Sequence, residues 1–143
     1  DYMNQYFATY SGVRRYMEEI VKTAKKRGYV ATIMGRRRYL PELESPVFNI
    51  RAFGERVALN APIQGSSADI IKLAMINTAR RLRAEKRKAK LILQIHDELI
   101  IEAPLAEAEP IKTLLREEME NVMRLSVPLT VDVAAGKNWA EAK

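Results

Sequence analysis

A chain of 143 residues, 48% of them apolar, is long enough to bury a core of its own and too short for a large multi-domain machine. It has no cysteine and one histidine, His96, which excludes disulfides, thiol catalysis, Cys-type zinc sites and any multi-histidine metal centre. The net charge of +6 is unevenly placed: residues 1–90 carry +11 and residues 91–143 carry −5, so the first part attracts polyanions, nucleic acid foremost, and chemistry in the second part falls to carboxylates.

The basic runs are Lys25-Lys26-Arg27, Arg36-Arg37-Arg38, Arg80-Arg81-Leu82-Arg83 and Lys86-Arg87-Lys88. On charge alone, solvated helix faces account for them as well as a polyanion does. No apolar run reaches the ~20 residues of a membrane span, and no signal-peptide pattern opens the chain, so no membrane partner is expected. The start at Asp1-Tyr2-Met3, without an initiator methionine, suggests an excised or processed piece.

In chain order, residues 3–27 predict one amphipathic helix, because Val13, Tyr16, Met17, Ile20, Val21 and Ala24 recur at helical spacing. Gly28 stops it after a basic last turn. Tyr29 to Leu40 predicts a short hairpin around Met34-Gly35, and Pro41 and Pro46 bound a loop. A second helix is expected over Val47–Asn60, broken by Pro62. Gly65-Ser66-Ser67 restarts the helix, with Ser66 as N-cap and Asp69 favouring the positive helix end, and a third helix runs from Ser67 to about Glu85. The period then changes from 3.6 to 2. Leu91–Ile95 and Leu99–Glu102 predict two strands separated by His96-Asp97-Glu98. Pro110 opens a helix with Ile111, Leu114, Leu115, Met119, Val122 and Met123 on its apolar face. Val127–Val133 predicts a last, edge strand. The fold class is α+β: a small antiparallel sheet covered by helices.

Two constellations stand out. A turn this short favours Asn-Gly, Asp-Gly or Gly-X, yet it holds His96-Asp97-Glu98, with adjacent acids at the tip. Strain and like charge there cost about 1–3 kcal/mol. A carboxylate pair on a rigid hairpin suits a hard cation such as Mg²⁺, and an ordinary polar turn is the alternative. The second constellation is Arg56, Asn60 and Gln64, spaced by four. Arg56 and Asn60 share a helix face, and Gln64 continues the stripe past Pro62. Such donors can meet base edges and sugars along a groove; a solvent-facing polar stripe has the same spacing.

Taken together, the segment Glu55–Lys72 (ERVALNAPIQGSSADIIK) and Gln94–Leu99 (QIHDEL) closely resemble family A DNA polymerases, the bacterial DNA polymerase I type. Gly35–Pro41 (GRRRYLP) and the closing Gly136–Trp139 (GKNW) match as well, so the resemblance covers nearly the whole chain, in order and at matching spacing. It implies the end of the fingers subdomain over residues 1–30 and the C-terminal part of the palm over residues 31–143. His96-Asp97-Glu98 then corresponds to the family's third polymerase motif. Asp97 takes the role of metal ligand and catalytic residue, Glu98 is the supporting catalytic carboxylate, and His96 lies near the primer terminus as a DNA-binding residue. Arg56, Asn60 and Gln64 match family residues that touch duplex DNA near its minor groove, where acceptors sit alike in every correct pair, so the contacts check pair shape.

The implied activity is template-directed DNA synthesis: nucleotidyl transfer from a dNTP to a primer 3′-hydroxyl, with two Mg²⁺ ions in the intact enzyme. The implied partners are primer-template DNA, the remainder of the parent polymerase chain, and dNTP held by upstream regions; the implied location is the bacterial cytoplasm, at the nucleoid. The family's other metal-binding aspartate and its nucleotide-binding fingers helix lie upstream of the matched segments, so the 143 residues alone are expected to be inactive. Gly54 and Ser67 stand where the family usually has Ala, and Gly54 weakens its helix by about 1 kcal/mol. The alternatives are a non-catalytic nucleic-acid-binding module on the same scaffold and a plain structural α+β domain without DNA affinity.

Overall fold

The computed structural model describes residues 2–142 and divides into two compact units, Asp1–Asp69 and Ile70–Lys143. The chain opens with α1 (Tyr2–Thr9) and α2 (Ser11–Arg27) where one helix was expected. Tyr10 leaves helical geometry at φ −111°, ψ 57°. The local sequence explains the interruption: Thr9, Ser11 and Gly12 are weak helix formers, and the Thr9 hydroxyl donates back to Gln5 O at 3.1 Å. Helix α2 ends as expected on Gly28, in left-handed geometry, whose N–H donates to Ala24 O.

Strands β1 (Tyr29–Ala31) and β2 (Arg37–Tyr39) form the expected antiparallel hairpin, pairing Tyr29 with Tyr39 and Val30 with Arg38. A short 3₁₀ turn, Pro41–Glu44, follows. The core of this unit is Ala24, Val30, Leu40, Leu43 and Ala58, with Ile20, Val21, Val57 and Ala61 packed against it. Gly54 is buried under the 3₁₀ turn. A Cβ there would lie 3.1 Å from both Glu42 Cβ and Leu43 Cδ2, so the helix penalty of this glycine accompanies a close approach.

The largest difference from expectation is α3, a single helix over Phe48–Ala84 with Pro62 inside it. Proline removes one backbone donor and crowds the carbonyl four residues back, a cost of about 3 kcal/mol. Tertiary burial outweighs it: Ala58 and Ala61 lie on the core around Pro62, and the Ser66 hydroxyl donates to the Pro62 carbonyl. Ser66 is therefore no N-cap, and Asp69 faces no helix terminus. Both stand in mid-helix, with partners elsewhere.

In the second unit, α3 continues over residues 70–84, followed by β3 (Lys90–Ile95), β4 (Glu98–Glu102), a 3₁₀ turn (Leu105–Glu107) and α4 (Ala108–Glu120). The Glu107 carboxylate accepts the N–H groups of Lys88 and Ala89, each at 3.1 Å, and so fixes the chain entering β3. Helix α4 buries Ile111, Leu114 and Leu115 as its spacing predicts, but it starts two residues before Pro110, which lies in its first turn where no donor is needed, and ends at Glu120, so Val122 and Met123 pack on the core from beyond its end. Arg81 on α3 bonds Glu85, Glu117 and Glu118, and in that order they raise its pKa.

Residues 127–133 form no strand. Pro128 lacks a donor, and the Val131 N–H goes instead to Glu120 Oε1 at 3.0 Å, while Leu129 and Val133 pack on the cluster of Ile71, Ala74, Leu99, Leu115 and Val122. The α+β class holds, with two separate two-stranded sheets among the described residues. Leu114, 1% exposed, sits in a neighbouring cluster with Leu82, Ala89 and Ile111. Leu114→Ala is expected to destabilise the chain by about 2–5 kcal/mol, read as a lower denaturant midpoint at unchanged slope.

Candidate nucleic-acid interface and carboxylate hairpin

The basic run Arg36-Arg37-Arg38 is divided by the two-residue alternation of an extended chain. Arg37 stacks over the Tyr29 ring, 4.6 Å from its centroid. Arg36 turns to α3, where its Nη2 meets Asp69 Oδ1 at 2.8 Å and donates to Gly65 O at 3.1 Å. Arg38 lines a cavity of about 420 Å³ together with Phe53, Arg56, Val57, Asn60, Ala61 and Gln64. The unbroken helix carries Arg56, Asn60 and Gln64 onto one face, and all three are exposed, so the expected stripe is one wall of a groove. Spacing in the sequence did not reveal Arg38 and Phe53 as lining residues. Arg38 lies in a charge run, and its orientation depends on how the hairpin meets the helix.

In the second unit, β3 and β4 pair in antiparallel register, Ile95 with Glu98 and Gln94 with Leu99, with a bulge between Leu91 and Leu93. The turn is tighter than expected. It holds only His96 and Asp97, and Glu98 already begins β4. His96 has φ +52°, a left-handed conformation in the position where a glycine is usual. Histidine tolerates it better than a β-branched residue does, at a cost of about 1–2 kcal/mol. The Gln94 side-chain amide donates to His96 O at 2.7 Å and braces the turn, while buried Leu99 anchors β4 beneath it. His96, Asp97 and Glu98 are all exposed at the tip.

Asp97 and Glu98 offer hard oxygen donors. Magnesium takes one or two carboxylates and completes its shell with water and phosphate oxygens, so this pair fits such an ion as part of a site. Among the described residues no group of three or more His, Cys, Asp or Glu gathers into a complete cation cage.

Part of the basic surface is neutralised internally. Arg36, Arg81 and Arg87 are all paired with carboxylates. Arg80 and Arg83 line a second cavity, of about 500 Å³, together with Met75, Ile76, Ala79 and Leu91. Among the described residues no helix is long and apolar enough to cross a membrane.

A donor-lined groove and an acid-tipped hairpin occur here in a chain of known class: residues 1–141 match the model of DNA polymerase family A, and the chain belongs to that family. It is 54% identical over 142 residues to DNA polymerase I of Bacillus subtilis (strain 168), which spans 99% of this chain and 16% of that protein. It is 52% identical over its full length to DNA polymerase I of Geobacillus stearothermophilus, again 16% of that protein. Among solved structures, the POL domain of Pol1 from M. smegmatis, in complex with DNA primer-template and dNTP, superposes with a TM-score of 0.96. That match has 48% identity and covers 98% of this chain and 25% of the other. The chain therefore spans about a sixth of the curated relatives it matches.

Proposed function

We propose that these 143 residues are the C-terminal part of the polymerase domain of a longer family A enzyme. Residues 1–30 close the fingers, and residues 31–143 complete the palm. The reaction is template-directed transfer of a nucleotide from a dNTP to a primer 3′-hydroxyl, in the bacterial cytoplasm at the nucleoid. The observation that carries this reading is the shared groove, in which Arg56, Asn60 and Gln64 stand exposed with Arg38 along one cavity.

Each residue has work that follows from its chemistry. Arg56, Asn60 and Gln64 donate to minor-groove acceptors, whose positions are alike in every correct pair, and so register a mismatched primer end as a lost contact. Asp97 holds a divalent ion at a rigid tip, Glu98 supports it, and His96 faces the primer terminus. The chemistry that two bound Mg²⁺ ions supply is activation of the primer hydroxyl and stabilisation of the leaving pyrophosphate.

Arg56→Ala, Asn60→Ala and Gln64→Ala in the full polymerase chain are each expected to weaken discrimination between matched and mismatched primer ends. One good contact is worth about 1–3 kcal/mol, or roughly 5- to 150-fold. Extension kinetics on the two kinds of end measure this. Unchanged discrimination in all three variants would remove the groove from the proposal.

A further inference from the structure

Asp69 sits in mid-helix with its side chain 9% exposed. A buried carboxylate is costly unless paired and hydrogen-bonded, so its partners need a reason. All of them come from the tip of the β1–β2 hairpin. Thr32 Oγ1 donates to Asp69 Oδ2 at 2.5 Å, and Arg36 Nη2 pairs with Oδ1 at 2.8 Å. The same Nη2 donates to Gly65 O, and the Arg36 N–H donates to Thr32 Oγ1 at 3.2 Å. One turn before Asp69, Ser66 Oγ accepts the Ile33 N–H at 2.9 Å.

Gly65 makes this approach possible. A Cβ there would lie 2.6 Å from Thr32 Cγ2, closer than packed carbons approach, so any larger residue would push Thr32 off its place on the helix surface. The fastening begins one residue beyond Gln64, the last member of the stripe, and two residues before Arg38. Arg38 is the hairpin's contribution to the groove, whose other lining residues all lie on α3, and the bonds from residues 32, 33 and 36 to residues 65, 66 and 69 fasten that hairpin to the same helix next to Gln64.

We infer that Thr32, Arg36 and Asp69 form a positioning lock for the groove: they set the separation between Arg38 on the hairpin and Asn60 and Gln64 on the helix, and hence the fit to a correctly paired duplex. This inference rests on the proposed reading of the groove. Asp69 is a positioning residue on this account. It touches no DNA and acts through Arg36 and Thr32. Preorganisation of this kind matters because a displacement of about 1 Å in a positioning group can cost about 100-fold.

The test uses the full polymerase chain. Asp69→Asn keeps the shape and the acceptor for Thr32 but removes the charge that holds Arg36. Thr32→Val keeps the methyl contact with Gly65 and removes the hydroxyl, which makes it the milder variant should Asp69→Asn fail to fold. The measurements are melting temperature, kcat, the KM for primer-template, and the ratio of extension from matched and mismatched ends. Asp69→Asn is expected to raise the KM for primer-template and lower that ratio about tenfold, with kcat at saturating DNA within about twofold. Arg36→Gln combined with Asp69→Asn is expected to be no worse than either alone, since both break one contact.

A lower melting temperature with unchanged KM and unchanged ratio in both Asp69→Asn and Thr32→Val would reduce the cluster to a fold anchor and overturn the lock. The alanine variants of Arg56 and Gln64 separate the two levels. If they lower discrimination and the lock variants do not, the lock alone fails. If they too leave it unchanged, the reading of the groove fails first.

Discussion

Asp97→Ala in the full polymerase chain is expected to lower nucleotide incorporation about 10³-fold or more, while the melting temperature stays within a degree or two. The two halves of this expectation have separate causes. The carboxylate is exposed at the tip of a two-residue turn, away from the buried clusters, so its removal leaves no cavity and strands no buried partner. Surface changes of that sort shift stability by about 0.5 kcal/mol or less. Catalysis is different. Positioning and charge neutralisation supply most of the acceleration in phosphoryl transfer, and if Asp97 is the metal ligand proposed above, its loss removes both. A factor of 10³ corresponds to about 4 kcal/mol of transition-state stabilisation. Glu98→Ala is expected to cost less, because the role proposed for Glu98, at the first position of β4 and paired with Ile95, is support rather than ligation. Primer extension by the Asp97→Ala enzyme at near the parent rate would exclude Asp97 as the metal ligand, and with it the catalytic reading of the hairpin.

The second large effect concerns the 143 residues by themselves. Purified alone, they are expected to show no primer extension with Mg²⁺ and all four dNTPs, yet to bind duplex DNA weakly and without sequence preference. Magnesium gives up its water reluctantly, and one exposed carboxylate pair is a poor trap for it. The described residues contain no third acidic group gathered around that pair. Phosphate attraction does not depend on the metal. Residues 1–90 retain their excess of positive charge, and the groove residues Arg38 and Arg56 are among them. The internal pairing of Arg36, Arg81 and Arg87 lowers the number of phosphates the chain can neutralise. The affinity should still fall with salt in proportion to that number, at a slope of about −0.9 per phosphate neutralised. A salt titration of duplex binding and a primer-extension assay decide the matter. Extension by the isolated chain would contradict the metal argument, and binding insensitive to salt would contradict the charge argument.

Hydrophobic period and turn chemistry sufficed for much of this protein. The β3–β4 hairpin, the apolar face of α4 and the stop at Gly28 are local properties. The first two follow from which residues recur every two or every three to four positions, and the stop from a residue that can adopt positive φ. The acids at the hairpin tip were legible for the same reason: they break the usual turn chemistry, and the break is visible in one short segment. The spacing of Arg56, Asn60 and Gln64 was also readable, because a constant step of four on a helix needs no knowledge of the rest of the fold.

What sequence could not decide depended on partners distant along the chain. Pro62 predicts a helix break by its own chemistry, and burial of Ala58 and Ala61 on a core built from α2, the first hairpin and the 3₁₀ turn overrules it. Once the break vanishes, Ser66 and Asp69 change meaning, from cap and dipole partner to two anchors for a hairpin some 30 residues earlier in the chain. Residues 127–133 have strand propensity, but a strand needs a neighbour to accept its hydrogen bonds, and Val131 found a glutamate side chain instead. The same holds for the three arginines at 36–38. Their charge is written in the sequence, but only the meeting of hairpin and helix assigns one to a buried carboxylate, one to a tyrosine ring and one to the groove, because pairing, stacking and exposure are each settled by what lies opposite.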